Sequence, residues 1–118
     1  MTKQALPLPD YAGIITLVKH GSVKWSGEGL DVRDEVAKAA SVSVHDLETS
    51  PEKRFVRYRR VGFQALRELD YSYEEIGSLT GGYAHSCVIY GVSKLSKQDK
   101  QVAKAIANKL KKAANGKS

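Results

Sequence analysis

A chain of 118 residues, 42% hydrophobic and 27% charged, can build one packed core, which excludes wholesale disorder and leaves no room for a separate catalytic domain. No apolar run approaches the roughly 20 residues that cross a bilayer, no secretory leader is recognisable, and one cysteine cannot form an internal disulfide, so a cytoplasmic protein is expected. The net charge of +6 is segregated: residues 1–52 hold 5 Lys/Arg against 8 Asp/Glu, and residues 53–118 hold 14 against 5, the footprint of a polyanion-binding half.

In chain order, residues 1–28 read as an N-terminal extension that starts with an extended Leu-Pro-Leu-Pro lead-in. Gly13-Ile14-Ile15-Thr16-Leu17-Val18 has high β-propensity, and His20-Gly21-Ser22 suits a turn into Val23-Lys24-Trp25; a short β-hairpin and a helix through Tyr11–Lys19 fit equally. From Leu30 the helical signals are clear. Asp31 is placed to cap a helix carrying Val32, Val36, Ala37 and Ala40, and Ser41-Val42-Ser43 ends it. Ser43 opens a short helix with His45, Asp46 and Leu47, and Pro51 suits the first turn of the next. A long helix is predicted from about Phe55 to Leu69, burying Val56, Phe63, Leu66 and Leu69.

Ser72 and Glu75 have capping-box spacing ahead of Ile76 and Leu79. The glycine pair Gly81-Gly82 then turns the chain into a helix whose first turn shows His85, Ser86 and Cys87 and whose later turns bury Val88, Ile89, Val92 and Leu95. Helix, tight turn and helix with a polar tip is the layout of a DNA-reading helix-turn-helix, although an ordinary helical hairpin has the same outline. Val102, Ile106 and Leu110 recur every four residues in a last helix with a lysine-rich back, and residues 113–118 read as a frayed tail. The expected fold is mainly α, a small helical bundle with its helix-turn-helix in a domain over residues 29–112.

Five arginines fall within fourteen residues, at Arg54, Arg57, Arg59, Arg60 and Arg67. Guanidinium forks match phosphate oxygens and stay charged at working pH, so this row suits a nucleic-acid backbone; the plainer reading is a solvated face pairing with Glu68 or Asp70. His85 also reads as an ordinary exposed polar residue, and Cys87 as a small packing residue. Three histidines and one cysteine have no metal-binding spacing, and no phosphate-binding loop or dinucleotide fingerprint is present, so no metal, cofactor, small-molecule substrate or enzymatic activity is expected.

Residues 30–95 resemble the C-terminal DNA-binding domain of the bacterial replication initiator DnaA. The resemblance is carried by Val42-Ser43-Val44-His45-Asp46-Leu47, by Arg57 to Leu69, by Glu75-Ile76-Gly77, and by Gly81-Gly82 through Leu95. It implies double-stranded DNA as the partner and a nucleoid-associated role. It implies phosphate contacts from Arg57, Arg59, Arg60 and Arg67, base contacts from Tyr83, His85, Ser86 and Cys87, and a minor-groove arm around Lys53 and Arg54. Four features depart from the family's pattern. Tyr83-Ala84 replaces a basic–Asp pair, Cys87 replaces a threonine, Glu74 replaces a proline, and the preceding loop is one residue shorter. The resemblance therefore implies a retained DNA-binding scaffold with an altered target code. Two functions are weighed: a regulator of transcription or replication initiation, and a protein-interaction module on the same fold. Residues 11–28, with Ile14, Ile15 and Trp25, are the candidate homodimer or docking surface.

Overall fold

The computed structural model describes residues 24–116, and among them the chain forms six helices and no strand. They are α1 (Gly29–Ala40), α2 (Val44–Thr49), α3 (Lys53–Glu68), α4 (Tyr73–Leu79), α5 (His85–Ser93) and α6 (Lys97–Gly116). The mainly α bundle expected from the sequence is the fold observed. Helix α3 lies at its centre and packs against the other five. Val61, Phe63, Ala65 and Leu66 on α3 meet Val32 and Val36 of α1, Leu47 of α2, Ile76 of α4, Val88 of α5 and Ala103 of α6 in one core. Burial of these side chains, at about 1.5–3 kcal/mol for each large one, dominates the stability of a domain of this size.

The helix ends are set by local chemistry. Ser43 Oγ accepts the Asp46 N–H at 3.0 Å, which starts α2 as expected. At α4 the full capping box forms: Ser72 Oγ accepts the Glu75 N–H at 3.1 Å, and Glu75 Oε1 accepts the Ser72 N–H at 2.8 Å. The Ser72 N–H, with the Ser72 hydroxyl, holds the Glu75 carboxyl below its ordinary range. The Ser96 hydroxyl caps α6 in the same manner through Asp99 N–H, a signal the sequence reading missed. Helix α1 ends at Ser41, which takes a left-handed conformation at φ 56°.

Several expectations are corrected. Asp31 does not cap α1: the helix opens earlier, at Gly29, behind Glu28, because Ser26 N–H bonds the Leu79 carbonyl and pins the entry there. Pro51 precedes the N-cap of α3, Glu52, and lies outside its first turn. Val56 and Leu69 are half-buried, while Phe55 and Arg59 are fully buried in their place. Val102 is 39% exposed, because α6 turns Asp99, Ala103, Ile106 and Ala107 inward. That helix continues to Gly116, past the predicted start of the tail.

Trp25, expected on a docking surface, is 3% exposed. Its ring lies where a Cβ on Gly62 would stand, and its backbone N–H donates to Glu48 Oε2 at 3.0 Å. Arg33 holds the same carboxylate at 3.1 Å. The folded unit thus reaches back to Trp25, ahead of the expected boundary at residue 29. The remaining expectations for the N-terminal extension, including the hairpin or helix and Ile14 and Ile15, lie outside the described residues.

Candidate nucleic-acid interface

Helices α4 and α5 are joined by a turn that only particular residues permit. Thr80 closes α4 with its hydroxyl donating to the Ile76 carbonyl at 2.7 Å. Gly81 and Gly82 follow at φ 109° and 94°, values that a side chain disfavours. The Gly82 and Tyr83 N–H groups both return to the Gly77 carbonyl, at 2.8 and 3.0 Å. A Cβ on Gly77 would run into the Tyr83 carbonyl, so the two arms of the motif approach as closely as backbone allows.

Tyr83 is therefore an inward residue. It is 7% exposed and meets the Phe63 ring edge-on at 5.3 Å between centroids. Its phenol lies against Arg59, which is 2% exposed. The Arg59 guanidinium donates to the Leu47 carbonyl at 2.6 Å and the Ser50 carbonyl at 2.7 Å, while its Nε has no hydrogen-bond partner among the described residues. Burial lowers the Arg59 pKa, with the Tyr83 phenol opposing that shift, and burial raises the Tyr83 pKa. Arg59 and Tyr83, expected at phosphates and bases, together brace the end of α2 against the turn between α4 and α5. The sequence signal for the inward position of Arg59 is its helical stripe with Phe55, Gly62 and Leu66.

Arg57 is also committed within the protein. Its Nε and Nη2 grip Asp99 of α6, with the shortest contact at 2.6 Å. The pairing lowers the Asp99 pKa, chiefly through the hydrogen bonds from Arg57, and raises that of Arg57. That carboxylate takes the Nε donor and one from Nη2, while the Arg57 side chain as a whole stays 57% exposed.

Arg60 and Arg67 stand on the outer flank of α3. The Arg60 stem lies over Gly91 of α5, where a Cβ would come within 3.0 Å of its Cγ, and its guanidinium lies 5.6 Å from the Tyr90 ring. Lys94 approaches that ring at 5.0 Å. Two cations therefore share one aromatic platform beside the outer face of α5. Arg67 reaches across to α4, donating to the Tyr71 carbonyl at 3.0 Å and lying 4.8 Å from the Tyr73 ring. Lys53 and Arg54 occupy the exposed first turn of α3, about 10 Å along its axis from Arg60. Arg54 covers the Phe55 ring and approaches Glu52 at 3.4 Å.

On α5, His85 and Ser86 are exposed and Cys87 is half-buried against the core. Ile89, expected inside, is 44% exposed, because its spacing of four from His85 and three from Ser86 puts it on the same face. The outward stripe is thus His85, Ser86, Ile89, Tyr90 and Ser93, flanked by Lys94 and Arg60. Sequence reasoning missed Ile89, Tyr90 and Lys94 as surface groups, although the helical repeat from His85 identifies the first two. Ala84 occupies the N-cap of α5 without a side-chain acceptor, and the Cys87 N–H turns back to the Ala84 carbonyl at 3.0 Å. Glu74 is exposed in the first turn of α4.

No group of histidine, cysteine or acidic residues that could hold a metal ion occurs among the described residues, and no described helix is long and apolar enough to cross a membrane. No solved structure matches the chain. The family description "Bacterial dnaA protein helix-turn-helix" matches residues 31–95, from the first turn of α1 to the end of the α5 motif and over more than half of the chain. With its double-glycine turn and outward-facing second helix, the chain belongs to the DnaA-type helix-turn-helix DNA-binding family.

Proposed function

We propose that the protein binds double-stranded DNA with sequence preference by placing α5 in the major groove. The observation that carries this reading is the outward stripe of α5, bordered by Arg60 and Lys94 over Tyr90. His85 and Ser86 supply hydrogen-bonding groups for base edges, and Ile89 supplies an apolar surface suited to a thymine methyl. Cys87 lies at the inner edge of that stripe. Arg60, Lys94 and Arg67 hold phosphates, and Lys53 and Arg54 extend the basic surface along α3. The protein acts as a regulator, controlling transcription or replication initiation by occupying or competing for sites. These 118 residues contain no phosphate-binding loop, so the DNA binding proposed for them draws on no nucleotide hydrolysis within the segment.

Selection from a randomised duplex library, followed by gel shifts across a salt series, tests the reading. The selected duplex should bind more tightly than the pool. His85→Ala and Ser86→Ala should each reduce discrimination between bases by about 1–3 kcal/mol. Arg60→Ala with Lys94→Ala should weaken binding to every sequence and lower the salt slope by about 2. Failure to shift any duplex at low salt would overturn the reading and transfer the outward stripe to a protein partner.

A further inference from the structure

Helix α6 lies beyond the stretch matched to the family, and its charge is one-sided in a way the core does not require. It carries six lysines and one acid, Asp99, which is already held by Arg57. Two contacts fix how the helix is rotated. Lys109 bonds Glu35 of α1 at 2.9 Å, which holds the Glu35 carboxyl below its ordinary range. Val102 and Ile106 line a cavity of about 310 Å³ with Val36, Ala39 and Ala40 of α1.

At about 100° per residue, Lys97, Lys100, Lys104 and Lys111 then fall within about 60° of one another on the flank opposite α1. All four are exposed, and none makes an ion pair with a described residue. On α3, Tyr58 and Val61 line the same cavity toward α1, so Arg60 and Arg67 also stand on the flank turned away from it. The two cationic rows therefore share one side of the molecule, with the Arg57–Asp99 pair at the seam between them.

We propose that Lys97, Lys100, Lys104 and Lys111 form a second contact surface for the duplex backbone, gripping phosphates that flank the site facing α5. The inference rests on the reading of α5 as the DNA-reading helix. With a rise of about 1.5 Å per residue, the row spans about 21 Å, equal to about six base-pair steps measured along the duplex axis. A lysine row carries no base code, so it adds affinity and lengthens the footprint without changing sequence preference.

The test compares the wild type with a variant carrying K97Q, K100Q, K104Q and K111Q, on labelled duplexes of about 12 and about 30 base pairs that share one selected core. Circular dichroism checks that α6 is retained, and the corresponding four-fold Lys→Arg variant keeps the charge. The wild type and the arginine variant should bind the longer duplex more tightly than the shorter. The glutamine variant should lose about tenfold or more on the longer duplex and show a salt slope smaller by about 2 to 4, with unchanged base preference. Equal affinity, slope and length dependence in the glutamine variant and the wild type would show the row to be a solvated face and overturn the proposal. Absence of binding by every protein at low salt overturns the underlying DNA reading, and this proposal with it.

Discussion

Arg59 and Arg60 are neighbours in the sequence, yet they serve opposite parts of the molecule. Arg59 is 2% exposed and holds two carbonyls at the end of α2, whereas Arg60 lies along the outside of α5 beside Tyr90. One step of about 100° around α3 separates a brace from a rim. A cluster of arginines therefore identifies a partner only after each member's angular position is known. Here the brace comprises Arg59 and Tyr83, the rim comprises Arg60, Arg67 and Lys94, and Arg57 belongs to the joint with α6.

The largest expected effect tests the brace directly. Arg59→Ala leaves the Leu47 and Ser50 carbonyls without their donors and opens a cavity, so denaturant melts should show a loss of about 3 kcal/mol or more. Arg60→Ala should stay within about 1 kcal/mol of the wild type in the same melts. Equal losses in the two variants would erase the distinction.

A smaller effect separates the two helices of the motif. Helix α4 has both halves of its capping box, while α5 begins at Ala84 with no side-chain acceptor. Ser72→Ala should cost about 1 kcal/mol, and Ala84→Ser should gain about 0.5–1 kcal/mol, both read from thermal melts.

The smallest effect concerns the joint. Asp99 has a folded pKa below its unfolded value, so the stability from its pair with Arg57 is complete above the ordinary carboxylate range and is lost as pH falls through the folded pKa. Arg57 is largely exposed, which keeps the contribution under about 1 kcal/mol. Melting temperature followed from neutral to acid pH should fall less steeply in Asp99→Asn, and parallel curves would assign the acid loss to other carboxylates.

Much of the fold was legible because it is local. The capping box, the Ser43 cap, the glycine pair and the run of helices from Leu30 onward depend on neighbours within a turn or two. Less legible were features created by distant packing. The early start of α1 depends on Leu79, the burial of Trp25 depends on the absence of a side chain at Gly62, and the exposure of Val102 follows from the inward turn of Asp99, Ala103, Ile106 and Ala107. At the interface, His85 and Ser86 lie on the exposed face as expected, but Ile89 reads as core from hydrophobicity alone. Arg59 and Tyr83 are expected at DNA through the family resemblance, whereas the structure buries both. The stripe of Arg59 with Phe55 and Leu66, and the position of Tyr83 directly after the glycine turn, are the signals that place them inside.

Trp25 gives the protein a built-in optical gauge. It is the chain's single tryptophan, its ring is seated against Gly62, and its indole N–H has no hydrogen-bond partner among the described residues. Emission from such a shielded ring is blue-shifted while α3 stays packed, and it moves to longer wavelength when the core opens. The outward face of α5 lies elsewhere on the molecule, so a ligand that settles there leaves the colour of that emission unchanged. One fluorescence trace can thus report integrity independently of occupancy, and a variant that fails to bind can be sorted from one that fails to fold in the same cuvette.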